Sequence, residues 1–267
     1  MQKGIATIYS HFTRTANTRP LGARPAWSDR GLQPLTHVRR TAEERRAFVL
    51  EQTLLMPVPL VPELSVYTAP AVNRVWFETA RWLDDDNASV PFWCVPWAGG
   101  QALARYLLDH PDMVRGANVL DFACGGGVVA IAAARAGARV SAVDIDPLAC
   151  VATKLAAEAS GVVIDARASD VVDDPLPGVD IVLAGDVWYE PVPSARFRRW
   201  FERLTRRGLT VLTSDAGRGY APRRVCELAK YDVPTPFDIE STGVRPTRVL
   251  AIEHAGPPTA CRPPRRR

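Results

Sequence analysis

The stretch VLDFACGGGVVA, residues 119–130, carries an apolar run into one carboxylate, Asp121, and then breaks into three glycines before turning apolar again. Such a run reads as a strand, a flexible turn and the start of a helix. Two readings are open at this point. Either a nucleotide is held at the end of the strand, or an ordinary strand-to-helix turn happens to carry an acid.

The neighbouring segments narrow the choice. Short β-branched runs recur at 117–122, 138–143, 162–166, 179–184, 208–213 and 247–252, with helical stretches at 127–136, 147–159 and 192–206. This alternation predicts an α/β fold of the doubly wound, Rossmann-like kind, a mostly parallel sheet with helices on both faces. Crossovers in such a sheet are right-handed, and ligands sit at the carboxyl ends of strands near the switch in strand order. Asp121 and its glycines occupy that place on the first strand.

Ahead of this domain (86–255) a helical N-terminal lobe is expected over 41–85. TAEE at 41–44 offers Thr41 as an N-cap and Glu44 to close a capping box, with Ala47, Leu50 and Leu54 following at helical spacing. The proline-rich stretch 57–70 reads as a connection, and a second helix over 72–83 places Val72, Val75, Trp76 and Leu83 on one side. Residues 1–40 hold one acid, Asp29, against seven Lys or Arg and show no apolar periodicity; the chain ends in Arg265–Arg267. Both 1–40 and 256–267 are therefore expected as disordered basic tails. The Arg-rich beginning also fits a mitochondrial transit peptide, which would place the protein in the matrix rather than the cytoplasm, and equally fits an over-long translation start or a bacterial leader tail.

Composition excludes several function classes. The 267 residues are 47% hydrophobic and can bury one substantial core, yet no apolar run approaches the roughly 20 residues of a membrane helix. The net charge of +4 is modest, and arginine outnumbers lysine 30 to 3 without forming a basic stripe with interleaved aromatics, so no nucleic-acid partner is expected. Five scattered cysteines (Cys94, Cys124, Cys150, Cys226, Cys261) without C-x-x-C spacing argue for a reduced compartment and against zinc or a disulfide framework.

Two ligand patterns compete at the glycine loop. Gly125, Gly127 and Ala130, followed by Asp144, satisfy a dinucleotide fingerprint. The same residues also fit acid-x-G-x-G-x-G, with Asp121 as the acid and Ala123 in place of the first glycine. That arrangement suits S-adenosylmethionine: its ammonium needs acceptors such as Asp121, and its carboxylate accepts loop N–H groups. Asp144, ending the next strand, can accept both ribose hydroxyls. Asp146 before Pro147 is better explained as a helix N-cap. Asp170, after the third strand, can accept from an adenine amine. Asp121 and Asp170 together disfavour a pyrophosphate. The fourth strand ends in GDVWYE, residues 185–190, where an acid followed by two aromatics is either a helix cap with buried rings or polar chemistry beside π surfaces. In the second case Asp186 faces the methyl donor, and Trp188 and Tyr189 wall a channel. Enzymes that methylate planar nitrogens typically carry N/D-P-P-Y/F here; acid-x-x-Tyr suits a flexible aliphatic amine better.

The glycine loop, DIDP at 144–147 and GDVWY resemble the class I, seven-strand S-adenosylmethionine-dependent methyltransferases, in their protein-lysine branch. PFWCVPWAGGQALARYLLDHP, residues 91–111, resembles the electron transfer flavoprotein β-subunit lysine methyltransferases, which show W-P-G-G-Q-A-L and an R-Y-L-L-D helix there. The likeness runs over roughly 70–255. Ala98 stands where that family usually has proline, and Cys124 and Gly126 depart within the loop. The resemblance implies a seven-stranded sheet, a monomer and a flavoprotein β subunit as the protein substrate. It also implies Trp97, Gly99 and Gln101 in the cofactor pocket, with Cys124 and Ile145 beside the acids, and Trp93, Asp186, Trp188 and Tyr189 around the substrate lysine. A lysine of pKa about 10.4 is less than roughly 0.1% neutral at pH 7, so the site must promote deprotonation before attack on the sulfonium methyl. Aromatic desolvation lowers that pKa, whereas a bare Asp186 raises it, and Asp186 is accordingly expected to orient the incoming ammonium. No metal is required. The alternatives are a methyltransferase for a ribosomal protein or a small amine, and a nucleotide-binding protein without turnover.

Overall fold

Thr41 starts the first described element as its spacing predicts. The computed structural model describes residues 40–253, so the expected tails at 1–40 (Arg40 apart) and 256–267, and with them the transit-peptide reading, lie outside the described residues. The Thr41 side chain accepts from the Glu44 N–H while Glu44 accepts from the Thr41 N–H, completing the capping box of α1 (Ala42–Gln52). The buried side of this helix is Phe48 and Val49; Leu50 and Leu54 are exposed. The expected stripe of Ala47, Leu50 and Leu54 fails because the helix stops at Gln52 and Leu54 already belongs to a strand.

The stretch read as a proline-rich connection is a hairpin, β1 (Leu54–Val58) and β2 (Val61–Thr68), paired antiparallel. Its prolines are tolerated because Pro57 sits on a strand with only one partner in this sheet and Pro62 comes early in its own. Leu64 and Val66 alternate inward on β2. The helix α2 (Val72–Leu83) runs as predicted and ends at Asp84 in the left-handed conformation. Phe48 stacks on Trp82 with ring centroids 4.6 Å apart. The lobe thus contains a hairpin as well as two helices, and its core continues into the main domain through Trp93, Leu148 and Leu155.

The main domain follows with α3 (Ala98–Asp109), β3 (Asn118–Phe122), α4 (Val128–Arg135), β4 (Arg139–Asp144), α5 (Pro147–Ala159), β5 (Ile164–Ala168), β6 (Ile181–Ala184), α6 (Pro191–Arg206), β7 (Thr210–Asp215), β8 (Val225–Pro234), α7 (Phe237–Glu240) and β9 (Val244–Ile252). Seven strands form one sheet in the order β5-β4-β3-β6-β7-β9-β8, parallel through β7, with β9 antiparallel to both β7 and β8. Strand β8 was not expected: VCELAKYDVP is a half-exposed edge whose buried positions, Cys226 and Val233, lie too far apart for a period to show. The central strands β3 and β6 are buried nearly throughout, as befits strands covered on both faces. Between β3 and β6 the strand order reverses, which puts Asp121 at the switch point. No helix among the described residues is long and apolar enough to cross a membrane. Among the described residues Cys94, Cys124 and Cys150 are free thiols.

Phe48 is the hydrophobic anchor of α1. Phe48→Ala should lower the unfolding free energy by about 3–4 kcal/mol in urea denaturation, through lost burial and the cavity left against Trp82.

Candidate active site

Three residues of the loop after β3 hold positive φ: Ala123 (55°), Gly125 (52°) and Gly127 (85°). The extra glycine, Gly126, has a steric reason: a Cβ there would lie 2.7 Å from the Trp93 carbonyl oxygen. The loop is pinned from behind by the Cys124 N–H on the Val143 carbonyl (3.0 Å) and the Thr153 hydroxyl on the Gly125 carbonyl (3.0 Å). Asp144 accepts the Gly125 N–H through Oδ2 (3.0 Å) and the Asp146 N–H through Oδ1 (2.9 Å), leaving each oxygen further acceptor capacity. Asp146 caps α5 through the Leu148 N–H (2.8 Å), as expected. Burial and the Asp144 charge push its carboxyl up to about 7.

A cleft of about 440 Å³, counting its open mouth, lies above this loop. Of the expected residues it is lined by Trp93, Trp97, Asp121, Ala123, Cys124 and Gly125; it adds Gly100, Gly126 and Gly185, and Val66 from the hairpin. Asp121 is 1% exposed, and among the described residues its Oδ2 has no hydrogen-bond partner. Burial raises its pKa well above the ordinary 3.8, against a backbone hydrogen bond at Ala130, and the neighbouring Asp144 charge adds to the rise. The Trp93 indole N–H is likewise buried without an acceptor. The cleft therefore offers a starved acceptor to a cation and indole faces to a flat ring.

The remaining expected residues stand elsewhere. Gly127 begins α4 and packs on Thr153; Ile145 is exposed beside Asp144. Asp170 holds the Val172 N–H on Oδ1 (3.0 Å) and Arg196 on Oδ2 (3.0 Å) and does not line the cleft. Gln101 is fully buried and acts as a clamp, accepting the Leu60 N–H (3.0 Å) and donating to the Pro96 carbonyl (2.6 Å). Trp188 does not wall a channel. It is 1% exposed, packs edge-on to Phe201 and donates its indole N–H to Thr213 (2.8 Å). Tyr189 is the outward one, its ring 5.5 Å from Phe92, which in turn lies 5.8 Å from Trp97.

Asp186 is not a bare acid either. Its backbone is left-handed (φ 56°), and its carboxylate accepts the Gly99 N–H (3.0 Å) and both arms of Arg218, Nε on Oδ1 (2.8 Å) and Nη2 on Oδ2 (3.0 Å). Arg218 also holds Glu240 (2.7 Å), which pairs with Arg245 (2.7 Å). The expected role of Asp186 as an open ammonium acceptor is thus pre-empted by a guanidinium. Arg218 was missed because one arginine among thirty, in a loop, leaves no pattern.

A methyltransferase domain family matches residues 119–208. The electron transfer flavoprotein beta subunit lysine methyltransferase of Danio rerio is 32% identical over 217 residues, 78% of this chain and 83% of that protein. The chain belongs to this methyltransferase family. The human protein of the same description is 36% identical over 180 residues, 66% of this chain and 67% of its own. A ribosomal protein L11 methyltransferase of Alteromonas mediterranea shares 44% identity, but only over 84 residues, 28% of its length. This methyltransferase is an S-adenosylmethionine-dependent protein-lysine methyltransferase. The starved Asp121 oxygen, the glycine cradle under Trp93 and the spare acceptor capacity of Asp144 fit that cofactor.

Two variants separate binding from scaffold. Burial makes native Asp121 give up its proton at higher pH than the unfolded chain does, so this group costs stability as pH rises past the unfolded carboxylate range. Asp121→Asn should then be more stable than the parent at about pH 8, by about 1–2 kcal/mol in urea, with the gain shrinking toward about pH 4. The same variant should bind S-adenosylhomocysteine at least about tenfold more weakly by calorimetry. Trp188→Phe should lose about 1–2 kcal/mol of stability, its Thr213 hydrogen bond gone, with cofactor affinity unchanged.

Proposed function

We propose that this enzyme methylates lysines of the electron transfer flavoprotein β subunit. The observation that carries the reading is the extent of the likeness: relatives of that description from Danio rerio and Xenopus laevis align over 83% and 89% of their own lengths. The site agrees with an aliphatic amine. Phe92, Trp97 and Tyr189 form a continuous aromatic surface beside the cleft, suited to a lysine's methylene stem.

In this reading Asp121 takes the cofactor's ammonium, the loop N–H groups other than those of Cys124, Gly125 and Gly127, which already have acceptors, take its carboxylate, and Asp144 takes the ribose hydroxyls. Trp93 and Trp97 bracket the rest. When bound, S-adenosylmethionine supplies an electrophilic methyl on a sulfonium. The protein's part is to align the lysine nitrogen with that methyl and to keep the amine neutral. Alignment alone can contribute several kcal/mol. Apolar surroundings from Phe92 and Tyr189 disfavour the ammonium form, and the proton leaves to water before the stem is enclosed. Free lysine lacks the protein surface that steadies the chain and is accordingly a poor substrate.

Methylation keeps each lysine cationic while removing hydrogen-bond donors, so its effect on the flavoprotein falls on partner docking rather than stability. Incubating the enzyme with labelled cofactor and purified flavoprotein from the same organism should add methyl groups to β-subunit lysines, read by peptide mass spectrometry. The short match to the ribosomal protein L11 methyltransferase supplies the second reading. Label on a ribosomal protein with none on the flavoprotein would establish it instead.

A further inference from the structure

We propose that Arg218 is a positioning residue for methyl transfer, whose guanidinium occupies Asp186 so that the incoming lysine meets no free negative charge. This rests on the lysine-methyltransferase activity and not on the identity of the acceptor protein.

The geometry around Asp186 carries the inference. Its carboxylate is 6% exposed and Arg218 10%, so the pair is shielded from water and weakly screened. From α3 the carboxylate receives only the Gly99 N–H, and from β7 the Ser214 hydroxyl accepts the Asp186 N–H (3.1 Å). Behind Arg218 stands Glu240 of α7, matched by Arg245 of β9. Asp215, closing β7, is held by Arg248 (2.6 Å). Asp186 and Glu240 with Arg218 and Arg245 therefore make a neutral cluster beside the Asp215–Arg248 pair, and removing Arg218 alone leaves one negative charge in excess. Burial alone would lower the Arg218 pKa, but Asp186 and Glu240 raise it, so the cation is fixed at every working pH.

The same guanidinium lies over the Trp97 ring, 5.6 Å from its centroid, and Trp97 lines the cleft. Arg218 thus ties the loop after β7 to the cofactor wall and to the aromatic surface proposed for the lysine. Its chemical effect follows from the reaction. The amine must shed its proton before attack, and a bare carboxylate nearby would stabilise the ammonium and raise its pKa. Arg218 removes that penalty while Asp186 still fixes the N-terminus of α3.

The test compares wild type with Arg218→Met, Arg218→Lys and the double variant Asp186→Asn/Arg218→Met. Turnover is measured from about pH 6 to about pH 10 and normalised to folded protein by thermal unfolding, with S-adenosylhomocysteine affinity from calorimetry. The acceptor is the purified flavoprotein or, if wild type leaves that unlabelled, the protein that wild type labels in a cell extract. Failure of the flavoprotein reading then shows in the wild-type arm alone. Arg218→Met should lower turnover at least tenfold near pH 7 and move the rising limb of the profile up by about one pH unit. The double variant, again neutral, should return the limb to its wild-type position with turnover still reduced. Arg218→Lys keeps the charge without the fork, so its limb should stay in place and its cofactor affinity should fall by about twofold to fivefold. If Arg218→Met does not fold, Asp186→Asn replaces it: an unpaired Arg218 should move the limb to lower pH. A limb that stays at the wild-type position in the single charge-removing variant overturns the proposal and leaves Arg218 a structural residue.

Discussion

The site depends on a backbone contact in which the start of α3 lies directly against the end of β6. A Cβ on Gly99 would fall 2.6 Å from the Asp186 nitrogen, and one on Gly185 would fall 2.9 Å from the Gly100 Cα. No larger residue fits at either place without separating helix from sheet. The contact brings the Gly99 N–H, in the first turn of α3, to the carboxylate of Asp186, which satisfies a donor that a helix start otherwise leaves open. It also sets Trp97, the residue before the helix, at the rim of the cleft, where Arg218 can reach over its ring. The left-handed backbone at Asp186 is the strain that this arrangement sustains.

The acids around the cleft illustrate how burial sorts similar residues into different tasks. Asp144, Asp146 and Asp170 are each engaged by backbone N–H groups, and Asp170 by an arginine as well. Asp186 is neutralised by a guanidinium. Of these acids, Asp121 combines near-complete burial with an oxygen that nothing among the described residues satisfies. A carboxyl in that state is poorly stable as an anion until a cation arrives, and it gains most from a ligand that brings one.

Much of this was legible in the sequence because backbone geometry restricts residue choice. Gly125 and Gly127 need positive φ, and Asp146-Pro147 marks a helix start; both survive as local signals. The buried parallel strands show as continuous β-branched runs. What stayed hidden lacks a local signature. The hairpin was masked by Pro57, Pro59 and Pro62, although Leu64 and Val66 do alternate inward. Strand β8 is an edge with widely spaced buried residues. Arg218 acquires its meaning only when tertiary packing sets it between Asp186, Glu240 and Trp97. Trp188 and Tyr189, adjacent in sequence, could be assigned opposite sides only from the fold.

The hairpin lends Val66 to the cleft, and Gln101 bolts the hairpin turn at Leu60 to α3 and Pro96. The lobe is therefore not a detachable module. Any attempt to graft this chemistry onto another scaffold, or to trim it to the strand-and-helix repeat that begins at β3, would take one wall of the binding cleft away with the discarded segment. A transferable unit therefore has to include the hairpin that begins at Leu54 as well as the glycine loop that announces the fold.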